Sequence, residues 1–161
     1  MICCTFWRSE RAFMMVEIVV VVAILGILAA IAVPTFSKFL NNLRGQGGLS
    51  ELKEMERAIL EFKDAHGHLP DSLADVGLDG LRDPWGNPYV YLRIEGNPMP
   101  GLAGKVRKDK KLHPVNTDFD LYSKGPDGKT ATQFMAQNAR DDLVRANNGA
   151  YFGAAESHAP L

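Results

Sequence analysis

The chain has 161 residues, 46% of them apolar and 23% charged, so it is sized for one domain with an appendage and is too apolar to be disordered throughout. Its 18 basic side chains are balanced by 19 acidic ones, which argues against a broad nucleic-acid surface, and no nucleic-acid partner is expected. The two cysteines, Cys3 and Cys4, are adjacent near the N-terminus and cannot staple a fold together.

From Phe13 to Val33 the sequence reads FMMVEIVVVVAILGILAAIAV, 21 residues with one charge, Glu17. As a helix this stretch is about 31 Å long, enough to cross a bilayer. Arg8 and Arg11 precede it and would keep the N-terminus cytoplasmic. A secretory signal peptide cut after Ala30-Ile31-Ala32 is the alternative, but its apolar region would exceed the usual length of about 7–15 residues and would contain a carboxylate. A plain single-span anchor is another. Glu17 bears on all three, because a carboxylate in hydrocarbon costs about 2.5–3.5 kcal/mol and needs a partner. The span holds no Lys, Arg or His. The partner must come from another chain or from a backbone amine made by cleavage, and a cut between Ala12 and Phe13 would place such an amine four residues from Glu17.

After Pro34 the pattern stays helical. Phe36, Phe39, Leu40 and Leu43 fall three and four apart, and Leu49, Leu52, Met55, Ile59 and Phe62 continue the stripe beyond Gly45-Gln46-Gly47-Gly48. One long helix with a weak middle is expected, the alternative being an interhelix turn at Arg44 to Gly48. Glu51, Glu54, Glu56, Arg57, Glu61, Lys63 and Asp64 supply its solvated side. His66-Gly67-His68-Leu69-Pro70 ends the helix, and its two histidines, lacking a third ligand at metal-like spacing, read as turn residues. Asp71 or Ser72 can cap a short helix through Leu73, Ala74 and Val76.

Asp83-Pro84-Trp85-Gly86-Asn87-Pro88 is a turn cluster leading into Tyr89-Val90-Tyr91-Leu92-Arg93-Ile94, which is rich in strand formers. Asp118 to Ser123 alternates polar and apolar residues, the period of a half-buried strand, and should pair antiparallel with the first. Between them Lys105 to Lys111 carries five basic residues in seven, without interleaved aromatics, and reads as a solvated hairpin loop rather than a site for DNA or acidic lipid.

The run Ala12-Phe13-Met14-Met15-Val16-Glu17, basic residues before it, an apolar helix after it and Pro34 at the twenty-second position from Phe13 together resemble the N-terminus of type IV prepilins and type II secretion pseudopilins. DPWGNPYVYL followed by DFDLYSKGPDGK resembles the G-type major pseudopilin, and the similarity reaches to about Lys129. The resemblance implies an α+β, pilin-like fold in which a long N-terminal helix, its first half transmembrane, packs on a small antiparallel sheet closed by a C-terminal loop region. It divides the chain into a cleaved leader at 1–12, a transmembrane and assembly helix at 13–33, the rest of the helix at 34–66 and a globular head at 67–161. It implies cleavage at Ala12 and Phe13 by a prepilin peptidase, N-methylation of Phe13, and assembly through Glu17 and Pro34. An inner-membrane platform and an ATPase would build the helical filament. The subunit would begin as a single-pass inner-membrane protein, N-terminus cytoplasmic and head periplasmic. The resemblance also implies structural calcium, for which the matching residues are Asp127, the pair Asp141 and Asp142, and the carbonyl of Lys124, hard oxygen donors of the kind calcium takes.

No HExxH, P-loop, GxSxG or CxxC pattern is present. His113, Asp118, Asp120 and Ser123 could form a triad only on paper, and no enzyme is expected. The expected function is that of a pseudopilin driving protein export. A type IV pilin serving adhesion, motility or DNA uptake is one alternative, and a monomeric, membrane-anchored periplasmic binding domain is another.

Overall fold

The computed structural model describes residues 15–97, 99–102, 104–110 and 113–158. Its chain divides into two compact units, Met1–Leu40 and Asn41–Leu161. Helix α1 runs from Met15 to His66 and contains Pro34. In the first unit its apolar side chains are exposed, Val16, Val19, Val22 and Ile31 among them, and this is the helix long and apolar enough to cross a membrane. Thr35 Oγ1 donates to the Ile31 carbonyl at 2.8 Å, engaging a backbone acceptor beside the proline.

In the second unit α1 presents Leu52, Met55 and Ile59 to the core, and all three are buried. Each fully buried side chain of this size is worth about 1.5–3 kcal/mol. Helix continues through Gly45 to Gly48, so the interhelix turn considered at that point is not formed. Gly48 shows why the helix tolerates a poor helix former here: a Cβ would lie 2.8 Å from Leu143 Cδ1 and 3.3 Å from Pro84 Cδ, so the missing side chain permits close approach. Gly48→Val should therefore lower the unfolding free energy by about 1–3 kcal/mol. Gly45→Ala, in open space, should raise it by up to about 1 kcal/mol. Denaturant unfolding followed by circular dichroism would separate the two. At the C-terminus of α1, Gly67 takes φ of 78° and donates its N–H to Lys63 O at 2.7 Å.

Beyond α1 come a 3₁₀ turn at Leu73–Val76, strand β1 at Val90–Arg93, a single helical turn α2 at Met99–Leu102, and strands β2 at Phe119–Ser123, β3 at Leu143–Ala146 and β4 at Tyr151–Ala154. Ser72 occupies the N-cap of the 3₁₀ turn, but the capping carboxylate is that of Asp75, which accepts the Asp71 and Ser72 N–H groups at 2.9 Å each. The sheet is antiparallel with order β1-β2-β3-β4. The expected pairing is present, with Tyr91 opposite Leu121. The region expected to be loop contributes two further strands, joined through Asn147, Asn148 and Gly149, all at positive φ.

Alternation along the strands sorts residues between two apolar layers. Phe119, Leu121 and Leu143 join Tyr89, Leu69, Leu73 and the α1 stripe in the main core. Val144 and Tyr122 pack with Val115, Phe134, Ala146 and Ala155 in the second layer. Ile94, Leu102 and Val106 form a satellite cluster.

Candidate functional site

Two parts of the chain carry the residues singled out from the sequence, one in each unit. In the first, Glu17 stands near the start of the described helix and is exposed among apolar neighbours, with Val16 and Ile18 exposed beside it. It is the single charge between Met15 and Val33. The cleavage and methylation positions Ala12 and Phe13 lie outside the described residues.

In the second unit the turn at Asp83 to Pro88 is built around one buried carboxylate. Asp83 Oδ1 accepts the N–H groups of Trp85 at 3.0 Å and Asn87 at 2.7 Å, while Oδ2 accepts the Ser123 hydroxyl. Asn87 Nδ2 then donates to Gly125 O at 2.8 Å, tying this turn to the Gly125-Pro126-Asp127-Gly128 loop. Gly125, at φ of 64°, packs so closely that a Cβ would run into the Asp141 carbonyl and lie 3.2 Å from Asp141 Oδ2. The loop of Lys124 to Gly128 and Asp141 are thus neighbours.

The three carboxylates expected to bind calcium have different surroundings. Asp127 is exposed, and its Oδ1 accepts the Lys129 N–H at 2.7 Å. Asp141 is half-buried beside Gly125. Asp142 is fully buried, and its Oδ2 accepts Arg107 Nη2 at 2.7 Å and Thr130 Oγ1 at 2.6 Å. Burial pushes the Asp142 carboxyl up to about 6, against the opposing pull of Thr130 and Arg107. Among the described residues no group of three or more His, Cys, Asp or Glu side chains is gathered as a metal ion would require. Of the expected calcium donors, Asp142 Oδ2 is already engaged by Arg107 and Thr130.

Three of the four residues that could be strung into a triad are likewise committed elsewhere. Asp118 pairs with Arg145, Asp120 accepts from Asn116 Nδ2 at 2.9 Å and from the Arg107 N–H at 2.7 Å, and Ser123 bonds Asp83. His66 Nδ1 lies 2.9 Å from Phe62 O and its ring stacks on Phe62, while His68 Nδ1 lies 2.9 Å from Leu69 O, so both imidazoles serve the helix-ending turn. Two assignments change. Glu56, placed on the solvated side of α1, pairs with the buried Arg145, and Arg107, counted in a solvated basic loop, is 2% exposed. A lone Arg among lysines in such a run was the available signal, since the guanidinium fork suits a buried multi-acceptor site and an ammonium does not.

No protein-family model matches the chain, and no solved structure matches it significantly. Curated proteins do. The chain is 30% identical over 145 residues to the type II secretion system core protein G of Pseudomonas aeruginosa, covering 76% of this chain and 87% of that protein. It is 28% identical over 148 residues to the protein of the same name from Aeromonas hydrophila, covering 78% and 89%. It is also 23% identical over 141 residues to the type IV major pilin protein PilE of Neisseria gonorrhoeae, covering 86% and 83%.

Proposed function

The chain belongs to the family of type II secretion core protein G, and is thus a filament subunit of the pseudopilin and pilin class, and from that premise we propose that it is a pseudopilin whose filament drives protein export from the inner membrane. The observation that carries this reading is the α1 helix itself. One continuous element joins an apolar segment, its side chains exposed and its single carboxylate unpaired among the described residues, to a folded α+β head. Such a segment is stable in a bilayer or against copies of itself, which is what a subunit that moves from membrane to fibre requires.

In this reading the precursor is a single-pass inner-membrane protein with its head in the periplasm. A prepilin peptidase cuts after Ala12, Phe13 is methylated, and a platform protein with its ATPase adds subunits to the fibre. The work done is mechanical, and no catalytic role is assigned to the head. The mature chain then begins at Phe13 and has 161 − 12 = 149 residues. Intact-mass and N-terminal peptide spectrometry of the membrane-extracted protein, with electron microscopy of sheared filaments, tests this. A terminus at Val33 or an uncut Met1, or the absence of this polypeptide from sheared fibres, would overturn it. The similarity to a type IV major pilin supports a second reading, a surface pilus subunit. Deleting the chain separates the two: export is lost with surface fibres intact in the first case, and fibres are lost with export intact in the second.

A further inference from the structure

The basic run and the calcium expectation meet at one side chain. Within Lys105 to Lys110 the lysines 105 and 110 are exposed and Lys108 is half-buried, but Arg107 turns inward. Its backbone is fixed on both sides, the N–H donating to Asp120 Oδ2 at 2.7 Å and the carbonyl accepting from Val115 N at 2.9 Å. From that base the guanidinium reaches three acceptors. Nη2 donates to Asp142 Oδ2 at 2.7 Å, and Nη1 donates to Thr130 Oγ1 at 2.6 Å and to the Ala131 carbonyl at 2.8 Å. Thr130 Oγ1 in turn donates to the same Asp142 oxygen, closing a ring of charge-assisted bonds. The rings of Tyr122 and Phe134 lie 4.3 and 5.1 Å from the guanidinium carbon.

We propose that Arg107 is the resident cation of this head, holding the C-terminal segment from Thr130 to Asp142 closed in the role that the family resemblance assigns to calcium. Its acceptors lie at the outgoing and returning ends of that segment, as the ligands of a loop-closing ion would. Backbone bonds from Lys108 N to Thr132 O at 2.9 Å and from Phe134 N to Lys108 O at 3.0 Å hold the outgoing arm beside it. Asp142 Oδ1 and Arg107 Nε are each buried without a hydrogen-bond partner among the described residues, so on Asp142 it is Oδ1, and not the engaged Oδ2, that a metal would have to use. A divalent ion there would sit against a positive charge already spent on the same carboxylate, which opposes binding. A lysine could not replace the arginine, because a single ammonium cannot span three acceptors in one plane.

Trypsin sensitivity of the full-length protein in detergent tests this, since Lys129 and Arg140 are exposed sites flanking and within the segment. Wild-type cleavage at both should agree within about twofold in millimolar calcium and in chelator, because no ion binds the folded state alone. Cleavage that is faster in chelator by more than about tenfold would overturn the proposal. Arg107→Met, which strands a buried carboxylate, should speed cleavage by on the order of a hundredfold. Arg107→Lys should give an intermediate rate. Arg107→Met combined with Asp142→Leu should restore most of the protection, because removing both members of a buried pair costs far less than removing one. A double variant as sensitive as the single one, or an Arg107→Met protein as protected as wild type, would also overturn it. The calcium and chelator arm needs no variant, so it can overturn the proposal even where a substitution prevents folding.

Discussion

Arg145→Ala should lower the unfolding free energy of the head by about 3–5 kcal/mol, the cost of stripping the cation from a buried ion-pair network. Arg145 lies on β3 with its side chain 1% exposed. Its Nε donates to Glu56 Oε1 on α1 at 2.6 Å, and Nη1 and Nη2 donate to the two oxygens of Asp118 at 2.9 and 2.6 Å. Nη1 also reaches the Phe119 carbonyl at 3.1 Å, and the guanidinium carbon lies 4.0 Å from the centre of the Phe119 ring. Every part of the fork is used. Alanine would leave two carboxylates facing one another across a poorly solvated gap and would open space beside Phe119. At about 2–4 °C per kcal/mol, the melting temperature should fall by about 6–20 °C. Arg145→Lys should recover only part of the loss. Arg57→Ala is the matched control: Arg57 pairs with Glu61 at 2.8 Å, but both side chains are mostly exposed, and its removal should leave the melting curve unchanged.

Glu17→Val should abolish filaments while leaving membrane insertion intact. Removing the carboxylate relieves an insertion cost of about 2.5–3.5 kcal/mol, so the variant should partition into membranes at least as well as wild type. Assembly is different. In the proposed fibre Glu17 neutralises the amino terminus of a neighbouring subunit, and in a medium without water neither charge has another partner. Membrane fractionation and imaging of sheared fibres from the same cells provide the two readouts. Wild-type fibre levels from Glu17→Val subunits would exclude the intermolecular pair.

The apolar segment, the helical stripe and the first strand pair were legible because each repeats with a regular period over enough residues to be distinctive. The second strand pair was not. Leu143-Val144-Arg145-Ala146 is short, buried at all four positions and carries a charge in its middle, so it neither alternates nor reads as apolar. Asn147-Asn148-Gly149 was its one local signal, since three successive positive φ angles suit those residue types at a hairpin end. Charge counting failed for a related reason. Composition marks Arg107 and Glu56 as ionised, but the direction each faces is set by partners 35 and 89 residues away, Asp142 and Arg145. At Gly45 to Gly48 the expected single helix is present, and the close approach at Gly48 supplies the reason for a glycine that helix propensity alone counts only as a weakness.

The 89-residue separation between Glu56 and Arg145 also sets an order of events during synthesis. The α1 segment leaves the ribosome first and carries Leu52, Met55 and Ile59, which are covered by Phe119, Leu121 and Leu143 from much later in the chain. At roughly 5–20 residues per second the stripe waits on the order of ten seconds for its cover, tethered to a segment apolar enough to cross a membrane. A ribosome that stalls, or a message truncated, before β2 would leave Phe119, Leu121 and Leu143 unmade, so incomplete chains would expose the stripe and Glu56 and be open to proteolysis.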